Sequence, residues 1–409
     1  MNTRLVSAFA ALLLIAVVFD GHFRQLIDDP TFWPPGDFVE YWAAAKLTLA
    51  GKNPFDPDLL LPLEHSAGRQ TDAAVMMWNP PWSLAIVLPL GLFPAREAQF
   101  LWLAVNLLAL CYCADRLWLL FGGSPKRWWV GWLVVLVALP TAFALQWEQI
   151  GPLLLLGAVL FLECQRRGWQ YCAGAATVLL AVKPHLAYLV WVAIAVDAVS
   201  QGRWRVIVGG VIAGLVCTSI ALVFNPHVLH QYVDAIGNRP PAQWATPTLG
   251  TALRYAFGKH LFQLQFIPMV FGLIWFARHP WSFSSSGSTG KHWDWREELP
   301  LLLLVSFVTA PYGAWQFDMV LLLPATMWLV IRTERPARGF IVAGLIAVNL
   351  GCILVNHFTS TSFWFLWVSP AILGLYLLSR NFNPSVSDRP SSAVSPVFDH
   401  ANYSLRIQE

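Results

Sequence analysis

The earliest residues in the chain with the chemistry for catalysis are Asp37, Glu40 and Tyr41. The alanine-rich run behind them predicts a helix over 38–50 that ends at Gly51, a frequent residue just after a helix. The three side chains then share one face of the helix by i, i+3, i+4 spacing. A carboxylate at position 37 can take a proton from a hydroxyl group, with Glu40 and Tyr41 as candidates for binding the substrate. The alternative is that Asp37 only caps the helix N-terminus.

Lys183 is the second candidate, at the end of an apolar run and directly before Pro184-His185. An ionisable residue in such a run is costly and is a functional hypothesis by default. A cation here would bind a phosphate group and stabilise it as a leaving group, with His185 as a possible helper. The alternatives are that Lys183 only reaches the lipid headgroups and that His185 is a structural partner.

Further polar residues stand at the edges of other apolar runs. Gln146, Glu148 and Gln149 precede a Gly-Pro step and either bind hydroxyl groups of a substrate or form a polar turn. Asp318 begins a later run and either caps a helix or contacts the substrate. Arg254 is suited to binding a phosphate, and its alternative is a solvated surface position.

Composition indicates the setting in which these residues work. The chain has 409 residues, of which 57% are hydrophobic and only 12% charged, with 22 Trp and 26 Phe. Soluble domains are roughly 45–50% apolar and about 25% charged, so a soluble enzyme is excluded. The net charge of +3 is small and no basic domain stands apart, which argues against nucleic acid as a partner. We therefore predict an all-α polytopic membrane protein.

About twelve apolar runs are candidate spans, since a spanning helix needs roughly 20 mostly apolar residues. They are 5–19, 97–121, 128–146, 150–165, 169–183, 185–200, 206–224, 262–278, 299–311, 316–331, 340–356 and 363–379. Lys and Arg concentrate in alternate loops, as at Arg166-Arg167, whereas the loops near 147–151, 312–315 and 357–362 have neither. Because cytoplasmic loops carry the excess of these residues, both termini are predicted to be cytoplasmic.

Two long segments, 20–96 and 225–261, fall on the predicted outer side. Inside the first, Trp78-Asn79-Pro80-Pro81-Trp82 opens an apolar run that ends at Phe93-Pro94. The run has only about a dozen residues, which is too short to span a bilayer. We therefore expect a re-entrant or interfacial helix within a long first outer loop.

The expected organisation is one integral membrane domain over 1–380, with no soluble domain at either end. A Ser- and Gly-rich linker at 282–290 and a disordered tail over 381–409 are predicted to be cytoplasmic. The six cysteines lie in apolar runs without CxxC spacing, so packing roles are expected. Neither a metal site nor a cofactor is predicted.

Four stretches, taken together and in order, resemble glycosyltransferase family 87. After an early Asp in the first outer loop comes YWAAAKLTLAGKNPFDP at 41–57, and then NPPWSLAIVLPLGLFPAREAQFLWLAVNLLAL at 79–110. The likeness continues in LQWEQIGPLLLLGAVLFLECQRRGWQYCAGAATVLLAVKPHLAYLVW at 145–191 and returns in APYGAWQFDMVLLLPA at 310–325. The resemblance covers about residues 36–330.

The resemblance implies a GT-C-type bundle of about 12 transmembrane helices. It also implies transfer of a hexose, with mannose as the first expectation, from a polyprenyl-phosphate-linked donor to an acceptor hydroxyl. The acceptor would be a glycan or glycolipid, and the reaction would take place at the outer face with inversion. In that scheme Asp37 is the general base, and Lys183 and Arg254 bind the donor phosphate. The expected substrate-binding residues are Glu40, Tyr41, Gln149, His185 and Asp318.

Two departures from the family pattern bear on the substrate. Family members commonly show Gly-Gln-x-Asn where this chain has Glu148-Gln149-Ile150-Gly151, so the Asn and its role are missing. Mannosyltransferase-like members often carry histidines near the position of Asp318, and this chain has none there. The pattern around these residues therefore does not specify the donor sugar.

The rival class is a polytopic transporter or a flippase for lipid-linked sugars, and a non-catalytic assembly factor is the third. Transporters tend to place charges near the bilayer midplane and often contain internal repeats. Here the polar candidates lie on one predicted side, and no repeat is evident. We therefore predict a glycosyltransferase in contact with membrane lipid, and the family pattern suggests the bacterial inner (plasma) membrane.

Overall fold

The computed structural model describes residues 32–238, 244–279 and 293–382, together with Asp29 and Trp281. All regular structure in these residues is helical, without a β-strand. The α-helices of eight or more residues are α1 Phe38–Leu49, α2 Pro57–Ser66, α3 Ala95–Leu120, α4 Trp128–Val137, α5 Leu139–Gln146, α6 Gly151–Arg166, α7 Gln170–Leu180, α8 Tyr188–Gln201, α9 Trp204–Phe224, α10 Val228–Asn238, α11 Leu249–Phe257, α12 Ile267–Arg278, α13 Trp295–Val308, α14 Leu323–Arg332, α15 Arg335–Phe358 and α16 Val368–Phe382.

Four helical segments of the described residues are long and apolar enough to cross a membrane. They are Ala95–Leu120, Trp204–Phe224, Ala337–Phe358 and Ser362–Asn381. A fifth candidate is the pair Pro125–Val137 and Leu139–Gln146, whose axes are bent by 59°. Other predicted runs form shorter helices, such as α6 with 16 residues and α7 with 11. An all-helical membrane protein is therefore confirmed, whereas the count of about twelve spans stays a prediction.

Proline accounts for the bend between α4 and α5. Pro140 lies in the first turn of α5, where a missing N–H is tolerated but a continuous helix from α4 is not. The backbone amide of Leu139 donates instead to Asn349 Oδ1 in α15, at 2.8 Å. The bend brings the chain to Gln146 and directly into the turn at 147–149.

Helix α1 carries Asp37 at its N-terminal end and ends one residue before the predicted bound. Gly51 follows with φ +67°, a left-handed conformation that favours glycine. Most side chains of α1 are buried because the helix packs against the short helix at Pro81–Leu92. A Cβ on Gly91 would lie 2.9 Å from the carbonyl carbon of Ala45, so the close packing depends on that glycine. Asp37 is thus attached to a buried and tightly packed helix.

The apolar run in the first outer loop forms the predicted short helix. It extends over Pro81–Leu92 and consists of a 3-10 turn, one α-turn at Leu84–Val87 and a second 3-10 turn. Pro89 interrupts the α-helical hydrogen bonding because its nitrogen carries no hydrogen. The segment is too short to be a candidate span, and its depth in the bilayer stays a prediction.

Helix α7, which leads to Lys183, packs against both α6 and α9. A Cβ on Gly174 of α7 would overlap the backbone of α9, and a Cβ on Gly209 would overlap the backbone of α7. On the other side, a Cβ on Gly157 of α6 would lie 2.9 Å from the carbonyl oxygen of Ala176. Small residues at such positions let helices pack backbone to backbone, which fixes the end of α7.

Arginines of the predicted cytoplasmic loops pair with acidic residues at one end of the bundle. Glu163, near the end of α6, accepts from Arg166 at 2.9 Å and also pairs with Arg167. Asp197 of α8 pairs with Arg203 at 3.4 Å. A helix of 16 residues such as α6 is about 24 Å long. Glu163 and its partners Arg166 and Arg167 therefore lie far from the turn that precedes α6.

Parts of the predicted organisation lie outside the described residues. These are the first apolar run at 5–19, the linker at 282–290 and the tail from residue 383 onward. Helix α16 continues through Asn381 and Phe382, so the first two residues of the predicted tail are helical.

Candidate active site

A cavity of about 440 Å³ opens where the predicted outer segments meet. Its wall is formed by residues of several segments that are far apart in sequence, namely 37–40, 75–80, 147–149, 182–185, 232–236, Trp244, 312–317 and Ser362. Each of these segments belongs to a loop or helix end that the charge pattern predicts to lie on the same side of the membrane. The fold therefore brings polar residues from the ends of several apolar runs together in the wall of this cavity.

Asp37 lies in the cavity wall, and its side chain does not cap α1. The carboxylate instead accepts a hydrogen bond from Gln149 Nε2 at 2.7 Å on Oδ2 and one from Arg69 Nη1 at 3.3 Å on Oδ1. Burial raises the pKa of Asp37 above the ordinary aspartate value, against the opposing effects of Arg69 and Gln149. The capping alternative is wrong, and the carboxylate is available to a bound molecule.

Gln149 joins Asp37 to Lys183 through its side-chain amide. While Nε2 donates to Asp37, Oε1 accepts from Lys183 Nζ at 3.4 Å and from the Tyr41 hydroxyl at 3.1 Å. Only this orientation of the amide satisfies all three neighbours, because an ammonium group can only donate and an ionised carboxylate can only accept. A carboxylate and a cation thus lie at the two ends of one amide group.

The first outer loop holds the segment that carries Lys183. Helix α7 ends at Leu180, and the carbonyls of Ala181 and Val182 accept from Trp82 Nε1 at 2.9 Å and Asn79 Nδ2 at 3.3 Å. These side chains satisfy carbonyl groups that the break at Pro184 leaves outside a helix. The motif at 79–82 therefore positions the lysine.

Asp318 forms an ion pair with Lys183 and lies outside the cavity lining. Its Oδ1 accepts from Lys183 Nζ at 2.7 Å and its Oδ2 from the backbone amide of Trp315 at 3.3 Å. The Asp318 side chain is fully buried and does not line the cavity, whereas that of Lys183 is 13% exposed. Asp318 thus acts as a helix cap and as the partner of the lysine.

Glu40 lies in the wall beside Asp37, one helical turn further along α1. Burial and the neighbouring Asp37 raise the pKa of Glu40 to about 8. At pH 7 the carboxyl group is therefore largely protonated and can donate a hydrogen bond. Tyr41 does not line the cavity and holds Gln149 instead.

His185 lies in the wall two residues after Lys183. Its ring packs on the ring of Tyr312, with a centroid distance of 4.7 Å. Gly313 takes φ +64°, and a Cβ there would lie 2.8 Å from His185 Nε2. Both neighbours restrict the imidazole to one position at the cavity edge.

Arg254 is buried, but it is not among the residues that line the cavity. Its guanidinium donates to the carbonyl of Lys259 at 3.0 and 3.3 Å and to Gln265 Oε1 at 3.3 Å. These bonds tie α11 to the segment that follows it. The structure does not bring Arg254 to Lys183, so Arg254 has no part in the proposed site.

The structure adds residues that sequence reasoning missed. Arg69 pairs with Asp37 from a loop whose local sequence has no pattern that marks it. Trp244 links two other wall residues, Trp78 at 5.3 Å and Trp315 at 6.1 Å between ring centroids. Because the chain has 22 Trp, composition could not distinguish these three from the others.

Gly36 sets the distance between Asp37 and the turn at 147–149. A Cβ on Gly36 would lie 2.9 Å from the carbonyl oxygen of Trp147, which accepts from the Asp37 amide at 3.0 Å. We expect Gly36→Ala to displace Asp37 and to lower turnover on the order of 10–100-fold. The matched control is Gly214→Ala, where an added Cβ meets nothing within 4 Å. Equal turnover of the two variants would contradict the proposed constraint.

All six cysteines are described and none forms a disulfide. Within the same described residues, no group of three or more His, Cys, Asp or Glu side chains is placed to hold a metal ion. The cavity wall presents carboxyl, amide, imidazole and ammonium groups.

The described residues define a helical membrane protein with a polar cavity at one end of its bundle. Comparison with models of protein families matches residues 78–284, about half of the chain, to glycosyltransferase family 87. The chain belongs to this family and is therefore a glycosyltransferase, an enzyme with a sugar donor and an acceptor. The matched range includes Gln149 and Lys183 but not Asp37. Searches among curated proteins and among solved structures each found no match.

Proposed function

We propose that this glycosyltransferase moves a hexose, with mannose as the first candidate, from a polyprenyl-phosphate-linked donor to a hydroxyl of a glycan or glycolipid. Inversion at the anomeric carbon and a GT-C-type arrangement of helices are part of the proposal. Asp37 is the general base and Lys183 binds the donor phosphate.

The observation that carries the proposal is the hydrogen-bonded row from Asp37 through Gln149 to Lys183. It presents a proton acceptor and a cation to one cavity, separated by a single amide group. An inverting transfer needs these two groups around the anomeric carbon, one for the attacking hydroxyl and one for the leaving phosphate. The raised pKa of Asp37 makes the carboxylate a stronger base than an exposed aspartate.

The carboxylate of Asp37 and the ammonium of Lys183 define the steps of the proposed reaction. Asp37 takes the proton of the acceptor hydroxyl while that oxygen forms a bond to the anomeric carbon. The bond from the anomeric carbon to the phosphate oxygen breaks, and its electron pair leaves with the polyprenyl phosphate. Lys183 neutralises the charge that develops on this phosphate. Asp318 keeps the ammonium in place and leaves one of its three N–H groups for the ligand.

The remaining wall suits a sugar with a lipid-linked phosphate. Glu40, as a protonated acid, donates to a sugar hydroxyl, and His185 bonds to another. Trp78, Trp244 and Trp315 provide flat apolar surface beside the charged groups. The apolar candidate spans keep the protein in the bilayer, where a long isoprenoid chain is soluble.

We further propose that the cavity faces the outer side of a bacterial inner membrane, with both termini in the cytoplasm. The support is the pattern of Lys and Arg in the loops and the distance of the paired arginines from the cavity.

The test is a transfer assay on the purified full chain in proteoliposomes. Radiolabelled polyprenyl-phosphate-mannose, polyprenyl-phosphate-glucose and a nucleotide-sugar are each offered together with membrane glycolipid acceptors. We expect label in the acceptor with a polyprenyl-phosphate donor and none with the nucleotide-sugar. Transfer from the nucleotide-sugar alone would overturn the proposed donor. Movement of an unchanged lipid-linked sugar between leaflets, without transfer, would favour the flippase alternative.

A further inference from the structure

The turn at 147–149 forms three hydrogen bonds with the segment that carries Asp37, one from each of its residues. The carbonyl of Trp147 accepts from the Asp37 amide at 3.0 Å, and Gln149 Nε2 donates to the Asp37 carboxylate at 2.7 Å. Between them, Glu148 Oε2 accepts from the backbone amide of Gly36 at 3.1 Å. Two of these bonds hold the backbone and one holds the side chain, so the position of Asp37 depends on the turn.

Glu148 is held in an unusual conformation at the centre of this turn. Its φ of +55° makes it the one non-glycine residue with a positive φ in the described part of the chain. Such a conformation persists only where the surroundings over-determine it. Here they do: Trp102 Nε1 donates to the Glu148 carbonyl at 2.7 Å, and the residue is completely buried. The conformation of Glu148 is therefore fixed by its surroundings.

The Glu148 carboxylate accepts hydrogen bonds on both of its oxygens, and the Trp33 side chain is a further donor to it. Oε2 meets the Gly36 amide, and Oε1 meets Gln99 Nε2 at 2.6 Å. The orientation of the Gln99 amide is fixed, because its Oε1 accepts from Arg96 Nη1 at 2.7 Å and a rotated amide would lose this hydrogen bond. An ionised carboxylate can accept from both the Gly36 amide and the Gln99 amide. A protonated acid or a side-chain amide would instead direct a hydrogen of its own toward one of these two donors. The arrangement is therefore specific for ionised Glu148.

We propose that ionised Glu148 is a positioning residue that holds Asp37 at the reacting hydroxyl through the backbone amide of Gly36. The inference rests on the proposed role of Asp37 as general base. Glu148 does not line the cavity, so it acts through the segment at 36–37 and does not touch the substrate.

The charged groups around Glu148 determine how it responds to pH. Arg96 of α3 lies behind Gln99, and Asp37 lies on the α1 side, where Arg69 binds both the Asp37 carboxylate and the carbonyl of Gly36. Burial raises the pKa of Glu148 to about 7, although the hydrogen bonds from Gln99, Gly36 and Trp33 and the charge of Arg96 oppose the shift. Protonation as the pH falls through about 7 places an O–H group opposite one of these donors and weakens the hydrogen bond to Gly36.

The test compares Glu148→Gln and Glu148→Gly with the wild type in the transfer assay. Glycine suits φ +55° without strain, so the second variant removes the carboxylate and keeps the turn. We expect both to lower kcat about 10–100-fold with little change in KM. Wild-type kcat should also decrease as the pH drops through about 7, because Glu148 becomes protonated. Glu148→Gln should lack this decrease and should show only the loss of kcat that accompanies protonation of Asp37. The control Glu163→Gln changes a buried carboxylate far from the cavity and should keep the wild-type pH profile.

An infrared titration of the carboxyl C=O band separates this inference from the proposed function, because it needs no transfer activity. The band missing in Asp37→Asn identifies Asp37. In Glu148→Gln its midpoint should fall toward the ordinary aspartate value, since a loosened Asp37 becomes better solvated. An unchanged midpoint, or a lower kcat with an unchanged pH profile, would overturn the positioning role. If the wild type is inactive but the Asp37 midpoint still shifts in Glu148→Gln, the proposed transferase mechanism is overturned, whereas the positioning of Asp37 by Glu148 is supported.

Discussion

Asp37→Asn is expected to lower turnover by about 10²–10⁴-fold, the range that a positioned general base contributes. Asparagine has nearly the same shape and still offers one oxygen to Arg69, but it cannot take the proton of the acceptor hydroxyl. KM should change little, because the wall formed by Glu40, His185 and the tryptophans stays in place. The measurement is kcat and KM for transfer, together with a thermal melting curve to confirm that the variant folds.

The matched control is Asp72→Asn, an exposed aspartate of the same outer loop. It loses the same charge without touching the cavity, so its kcat should equal that of the wild type. If Asp37→Asn turns over at the wild-type rate while the protein transfers sugar normally, Asp37 is not the base. Glu40, the other carboxyl group in the wall, would then be the next residue to replace.

Lys183→Met is expected to have two separate effects, one on turnover and one on stability. Loss of the cation at the leaving phosphate should lower kcat about 10²–10³-fold, the typical result of removing one electrostatic stabiliser of a transition state. Loss of the partner of fully buried Asp318 should also cost about 3–5 kcal/mol of folding free energy, because an unpaired charge is left in the interior.

The double variant Lys183→Met/Asp318→Asn distinguishes the two effects. The amide that replaces the carboxylate of Asp318 carries no charge and can still accept from the Trp315 amide, so most of the lost stability should return. Turnover should stay low, because the phosphate still lacks its cation. Recovery of both stability and turnover would show that Lys183 serves the fold and not the reaction.

Local sequence was sufficient to predict the helix behind Asp37. The alanine run and Gly51 predicted a helix over 38–50, and α1 extends over Phe38–Leu49 with Gly51 in the left-handed conformation. The short helix after Trp78 was also predicted, since about a dozen apolar residues are too few to form a full span. These features depend on neighbouring residues, whose steric and hydrogen-bonding preferences can be read directly.

The direction in which a side chain points could not be predicted in the same way. An aspartate before a helix normally caps it, yet the Asp37 carboxylate accepts from Gln149 and Arg69 instead. Those partners lie 112 and 32 residues away, and no local pattern announces them. Arg254 shows the converse: it was expected to bind the donor phosphate, but its guanidinium donates to Lys259 and Gln265, which lie 5 and 11 residues further along the chain.

The sequence by itself determined the class of the protein, because hydrophobic content and the spacing of charges depend on which residues are present and in what order. It also supplied the residues for the chemistry, a carboxylate and a lysine at the edges of apolar runs on the same predicted side. Only the tertiary structure decided that Gln149 connects them, that Asp318 stands behind the lysine and that Glu148 holds the backbone before Asp37. Each of these contacts joins segments distant in sequence, and such contacts form only when helix packing brings the segments together.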